Sequence, residues 1–176
     1  EATPTGTAAA PRDPTEPMQV LHEPYANREC KECHRDMGAS LQGAGAKLCF
    51  QCHDQGEIVP ASAHDPVREG ECLLCHDPHL SKNVYLLRDT PAAICGECHE
   101  DADLQDRHAP LTGEVDCTRC HLGHGGPNRG FLKEESAALC GRCHEADLGE
   151  GLWTHGPVGA GLCSACHQGH GADDAA

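Results

Sequence analysis

The chain has 176 residues, with 13 Lys+Arg against 28 Asp+Glu and a formal charge of −15, so it offers no basic surface for nucleic-acid phosphates. Hydrophobic residues make up 38% and aromatic residues 3%, too little large apolar mass for an ordinary core. Fourteen cysteines, about 8% of the chain, point instead to covalent staples, metals or cofactors.

Residues 1–21 carry Pro4, Pro11, Pro14 and Pro17 among small residues, which predicts a flexible, extended N-terminal segment. No run has the length of a membrane span and no export-signal pattern opens the chain, so Glu1 is read as a mature start. From His22 onward the sequence repeats. Seven Cys-x-x-Cys-His runs follow one another: Cys30–His34, Cys49–His53, Cys72–His76, Cys95–His99, Cys117–His121, Cys140–His144 and Cys163–His167. Their first cysteines are 19, 23, 23, 22, 23 and 23 residues apart.

The runs alternate in character. Type A runs follow an H-x-P histidine: His22, His64, His108 and His155. Three of them end in H-x-x-H, which adds His79, His124 and His170; the first has Met37 in that slot. Type B runs follow short apolar leads, Lys47-Leu48, Ala93-Ile94 and Ala138-Leu139. The predicted layout is a repeat domain over 22–170, with repeats 22–63, 64–107, 108–154 and 155–170 and a tail at 171–176. The type B leads predict helices near 45–54, 91–103 and 136–148. Thr90 is placed to cap, with Pro91 at the first helical position, and Ser136 opens the third lead. Glycine and proline break the remainder into loops, and no strand is expected.

A C-x-x-C-H run is the attachment pattern of c-type haem: two thiols bond the porphyrin edge and the adjacent histidine ligates the iron. Zinc pairs two C-x-x-C hooks or one hook with two histidines, and seven hooks do not pair evenly. A disulfide scaffold has no need of constant gaps with a trailing histidine. All of Cys30, Cys33, Cys49, Cys52, Cys72, Cys75, Cys95, Cys98, Cys117, Cys120, Cys140, Cys143, Cys163 and Cys166 are used by seven haems. The seven proximal iron ligands are His34, His53, His76, His99, His121, His144 and His167. His22, His64, His79, His108, His124, His155 and His170 then supply seven distal ligands, so bis-histidine ligation is expected throughout.

Chain order suggests a pairing. His22, His64, His108 and His155 are assigned to their own downstream type A haems. His79, His124 and His170 are assigned to the type B haems of Cys49, Cys95 and Cys140, because no type B haem precedes Met37. A rival pairing makes Met37 the ligand of the first type B haem and leaves His170 spare, giving one haem of raised potential. With about 25 residues per haem, the haems are expected to form the core of an elongated, mostly irregular protein with short α-helices.

His64–His79, HDPVREGECLLCHDPH, resembles the doubled-CXXCH multihaem c-type cytochromes; His108–His124 and His155–His170 match with Leu-Gly and Gln-Gly in place of Asp-Pro. The resemblance spans residues 22–170. It implies an elongated bis-histidine haem chain, similar to periplasmic pentahaem electron donors and decahaem porin–cytochrome conduits. Six-coordinate irons imply electron transfer rather than an enzyme, and no catalytic residue is assigned. The alternatives are a protomer of an extracellular filament and a multihaem reductase; the latter lacks support because no C-x-x-C-K occurs. Covalent haem implies export, to the periplasm or cell surface. With propionates ionised, the oxidised holoprotein carries roughly −22, which suits redox protein partners with basic docking surfaces. A porin-type barrel or a second copy are the other partners considered.

Overall fold

A computed structural model describes residues 19–36, 38–99, 116–144 and 154–170. Met37, His108 and both termini lie outside these residues. The described chain is largely loop and turn, with seven helices of four to six residues and one two-stranded sheet. No described helix is long and apolar enough to cross a membrane.

The three type A units whose H-x-P residues are described form the same small hairpin. An H-x-P histidine precedes a single helical turn with proline at its start: α1 (Glu23–Ala26), α4 (Asp65–Glu69) and α7 (Gly156–Gly159). Proline fits there because its missing N–H has no helical acceptor in the first turn. The turn closes by Glu29 N–H to Pro24 O at 2.8 Å, Glu71 to Pro66 at 2.8 Å and Leu162 to Pro157 at 2.9 Å. The cysteine run follows as a 3₁₀ turn: Cys30–Glu32, Cys72–Leu74, Cys117–Arg119 and Cys163–Ala165.

Type B runs end short helices: α2 (Ala46–Cys49), α5 (Pro91–Gly96) and α6 (Ser136–Gly141). A fourth turn, α3 (Gln55–Ile58), is capped by Asp54. The Thr90 hydroxyl accepts from Ala93 N–H at 3.3 Å, so the expected cap forms. Ser136 differs: it is the first helical residue, and its hydroxyl donates to Gly161 O instead. The helices are shorter than expected because the C-x-x-C-H run winds into a tight turn, with His99 N–H and Cys98 N–H both on Cys95 O. Residues 100–103 and 145–148 of the expected helices lie outside the described residues. Gly70 and Gly161 hold φ of +79° and +68°, and a Cβ on either would meet Ala46 or Ala137 at 2.9 or 2.5 Å. Only glycine lets each hairpin pack this closely on the preceding type B helix.

Repeats are joined by a seam that the sequence did not suggest. β1 (Val20–Leu21) pairs antiparallel with β2 (Leu80–Ser81). The next seam is a single bridge, Ala63 with Gly125. In both, the N–H of the H-x-P histidine donates to the carbonyl of the following repeat's H-x-x-H histidine: His22 to His79 at 2.9 Å and His64 to His124 at 3.1 Å. No hydrophobic side chain is buried among the described residues; Ser81 is the buried polar one. Cysteines, histidines and loops thus meet with no apolar core between them.

Candidate haem-binding site

None of the fourteen cysteines is joined to another in a disulfide. Among the described residues no group of three or more His, Cys, Asp or Glu side chains could hold a metal ion by itself, so the hooks do not converge as zinc sites do. They run instead in sequence order through space. Burial raises the Cys49 thiol pKa, and Cys72 and Cys33 beside it raise it further. Burial, Cys117 and Cys75 take Cys95 up to about 11; burial, Cys163 and Cys120 raise Cys140. Each type B run thus sits between the type A run before it and the one after it.

The imidazoles meet in pairs. Ring centres are 6.0 Å apart for His22 and His53, 5.9 Å for His34 and His79, and 6.1 Å for His64 and His99, with interplanar angles of 12°, 13° and 22°. His76 faces His124 at 6.0 Å and His121 faces His170 at 5.8 Å, tilted by 56° and 44°. Each pair joins one histidine of a C-x-x-C-H run to one outside it.

This is not the pairing that chain order suggests. His22 lies across from His53, not His34, and His64 from His99, not His76. His79, His124 and His170 lie across from His34, His76 and His121, the type A histidines of the preceding repeat, and not from type B histidines. Met37, the ligand in the rival pairing, lies outside the described residues, and the ring across from His53 is that of His22. The seam is the physical cause. It joins the backbones of His22 and His79, so the two imidazoles are placed together, one towards each run of the first repeat. His108 lies outside the described residues. His155 and His167 face no imidazole among them.

Backbone carbonyls fix the rings. His22 Nδ1 donates to Pro78 O at 2.9 Å and His64 Nδ1 to Gly123 O at 3.2 Å. His76 Nδ1 donates to Tyr85 O at 2.9 Å and His121 Nδ1 to Gly130 O at 2.7 Å. A carbonyl only accepts, so Nδ1 carries the proton and Nε2 keeps its lone pair for a metal. Tyr85 (φ 56°) and Gly130 (φ 66°) are left-handed where they present these carbonyls, a conformation a tyrosine adopts only under constraint. Asn83 and Asn128 brace the same loops through Leu87 O and Leu132 O. Sequence reasoning missed these supports, although both asparagines stand seven residues after a run's histidine. The first repeat has a shorter loop, and His34 Nδ1 is buried without a partner. Asp77 accepts from His79 N–H and Leu80 N–H. Those bonds, His79's first, lower its carboxyl pKa.

These residues fit a haem. Two imidazoles on opposite sides of one metal, with metal–nitrogen bonds of about 2 Å, have ring centres about 6 Å apart. The five pairs have that spacing beside the paired thiols, and in four of them one ring has its Nε2 lone pair left available by its Nδ1 bond. The family of doubled CXXCH motifs matches residues 22–57, 64–104 and 108–149. The chain belongs to this family. It is a multihaem c-type cytochrome, and its C-x-x-C-H runs mark it as haem-binding. A multiheme cytochrome MtrA from Shewanella baltica (strain OS185) is 27% identical over 104 residues, covering 48% of this chain and 31% of the relative. The chain thus spans about a third of the length of the curated relative it matches.

Proposed function

We propose that the chain is an electron relay holding seven covalently attached haems, with histidine on both sides of the iron in at least six. The five facing imidazole pairs carry this reading. The same register assigns His108 to the haem of His144. Cys30, Cys33, Cys49, Cys52, Cys72, Cys75, Cys95, Cys98, Cys117, Cys120, Cys140, Cys143, Cys163 and Cys166 provide the thioether bonds. Bound haem supplies a one-electron iron couple, at low potential when both axial ligands are histidine. The chain's own part is to hold the groups in sequence order, to fix the rings of His22, His64, His76 and His121 by their Nδ1 bonds, and to occupy the axial positions where substrates would bind. That favours a carrier over an enzyme.

Export to the periplasm or cell surface follows from covalent haem attachment, and redox protein partners follow from the role and the charge. The proposal extends to haem mass forming the core, since no hydrophobic side chain fills that place among the described residues. Intact-mass measurement of the holoprotein tests the proposal, with seven haems above the polypeptide mass expected. Fewer haems, or ferric spectra dominated by high-spin iron, would refute it.

A further inference from the structure

We propose that Tyr85 and Gly130 are positioning residues that set reduction potential. Their carbonyls hold the haems of Cys72/Cys75 and Cys117/Cys120 below the haem of Cys30/Cys33, where a partly reduced chain then keeps its electron in preference to those two. The inference rests on the haem relay proposed above. Its basis is the loop behind each type A imidazole. A bridge closes three of these loops alike: His34 with Leu41, His76 with Leu87 and His121 with Leu132. Arg35 N–H donates to Ser40 O at 2.9 Å, Asp77 to Leu86 at 2.8 Å and Leu122 to Phe131 at 2.8 Å. The facing ring is alike too, an H-x-x-H imidazole in each case. The loops differ in length, residues 77–86 and 122–131 against residues 35–40.

The longer loops end in a left-handed pair, Tyr85-Leu86 and Gly130-Phe131, with φ of 56°, 56°, 66° and 56°. That turn aims the Tyr85 carbonyl at His76 Nδ1, 2.9 Å away, and the Gly130 carbonyl at His121 Nδ1, 2.7 Å away. Ser81 and Asn83 hold the first turn through Leu87 O, and Asn128 holds the second through Leu132 O. No described residue of the shorter loop is left-handed, and His34 Nδ1 is buried with no acceptor among the described residues. A carbonyl on Nδ1–H pushes electron density towards Nε2. The imidazole becomes a stronger donor and stabilises ferric iron over ferrous. His34 receives no such push.

Spectroelectrochemical titration of the haem-loaded chain is the test. Tyr85→Pro and Gly130→Pro force φ to about −65° and turn the carbonyl away. Each is expected to raise one of the seven components roughly tenfold in its reduction equilibrium, about 59 mV for one electron. Tyr85→Gly keeps the left-handed turn, as Gly130 does, and is expected to move none. Unmoved components in both proline variants, or a Tyr85→Gly shift equal to that of Tyr85→Pro, would overturn the proposal. If the proline variants lose haem, Asn83→Ala decides, with a smaller rise expected and no rise counting against it. In the parent chain, the component removed by Cys30→Ala/Cys33→Ala should lie above the one removed by Cys72→Ala/Cys75→Ala, and the reverse order overturns the ranking. Haem mass and ferric spectra are taken first on the parent. Fewer than seven haems, or mostly high-spin iron, sinks the relay itself, whereas unshifted potentials in an intact relay sink only the tuning.

Discussion

His22 and His79 show how much rests on single residues. Their backbones share one hydrogen bond, and their rings go to two different runs. Under the proposed ligation, removing the His22 side chain leaves the haem held at His53 without its facing imidazole. His22→Ala is therefore expected to create one new carbon-monoxide-binding haem. In a Cys49→Ala/Cys52→Ala background, which lacks that haem, His22→Ala should add none. If it still adds one, His22 serves the haem of Cys30 and Cys33, as chain order suggests. At this scale the sequence was legible for residue type and illegible for partnership. Each histidine stood out by its slot, but a slot gives no direction. His76 and His121 needed carbonyl partners from Tyr85 and Gly130, which carry no signature of their own.

At the scale of elements, the type B helices were readable from their apolar leads and, at α5, from Thr90 and Pro91, whereas the helical turns after the H-x-P histidines, expected as loops, and the seams were not. β1 and β2 are two residues each, too short for any alternation of side chains to register. The second seam is held still more narrowly. Gly125 has φ +109°, and a Cβ there would stand 2.3 Å from Ser62 O and 2.7 Å from Ala63 Cα. Gly125→Ala is expected to force this seam apart at a cost of roughly 1–3 kcal/mol. Both His64 and His124 depend on the seam, so the haems of His99 and His76 should lose low-spin character together. Gly123→Ala is the control, since a Cβ there meets nothing within 4 Å. Ferric spectra and thermal unfolding of the two variants check this, and equal behaviour would remove the seam from the account.

The whole molecule has little to hold it without its cofactor. With no buried hydrophobic side chain among the described residues, short helices gain little from packing, and turns of four to six residues are unstable alone. The haem-free polypeptide is expected to lack a cooperative unfolding transition in calorimetry and to exchange its amides without protection. The holoprotein should show both a transition and protection. A folded apoprotein would mean that protein contacts, and not bound haem, make the core.

The sequence by itself determined the chemistry and the count: fourteen thiols in seven hooks, a histidine after each, and seven more in two repeated slots. Those features are local, because an attachment run needs only its own five residues. It also determined the repeat, whose period of 42 to 46 residues is visible without coordinates. Only the tertiary structure decided which imidazoles meet. That depends on pairing between residues about 60 positions apart, carried by a few bonds between main-chain groups that every pairing of residues offers alike.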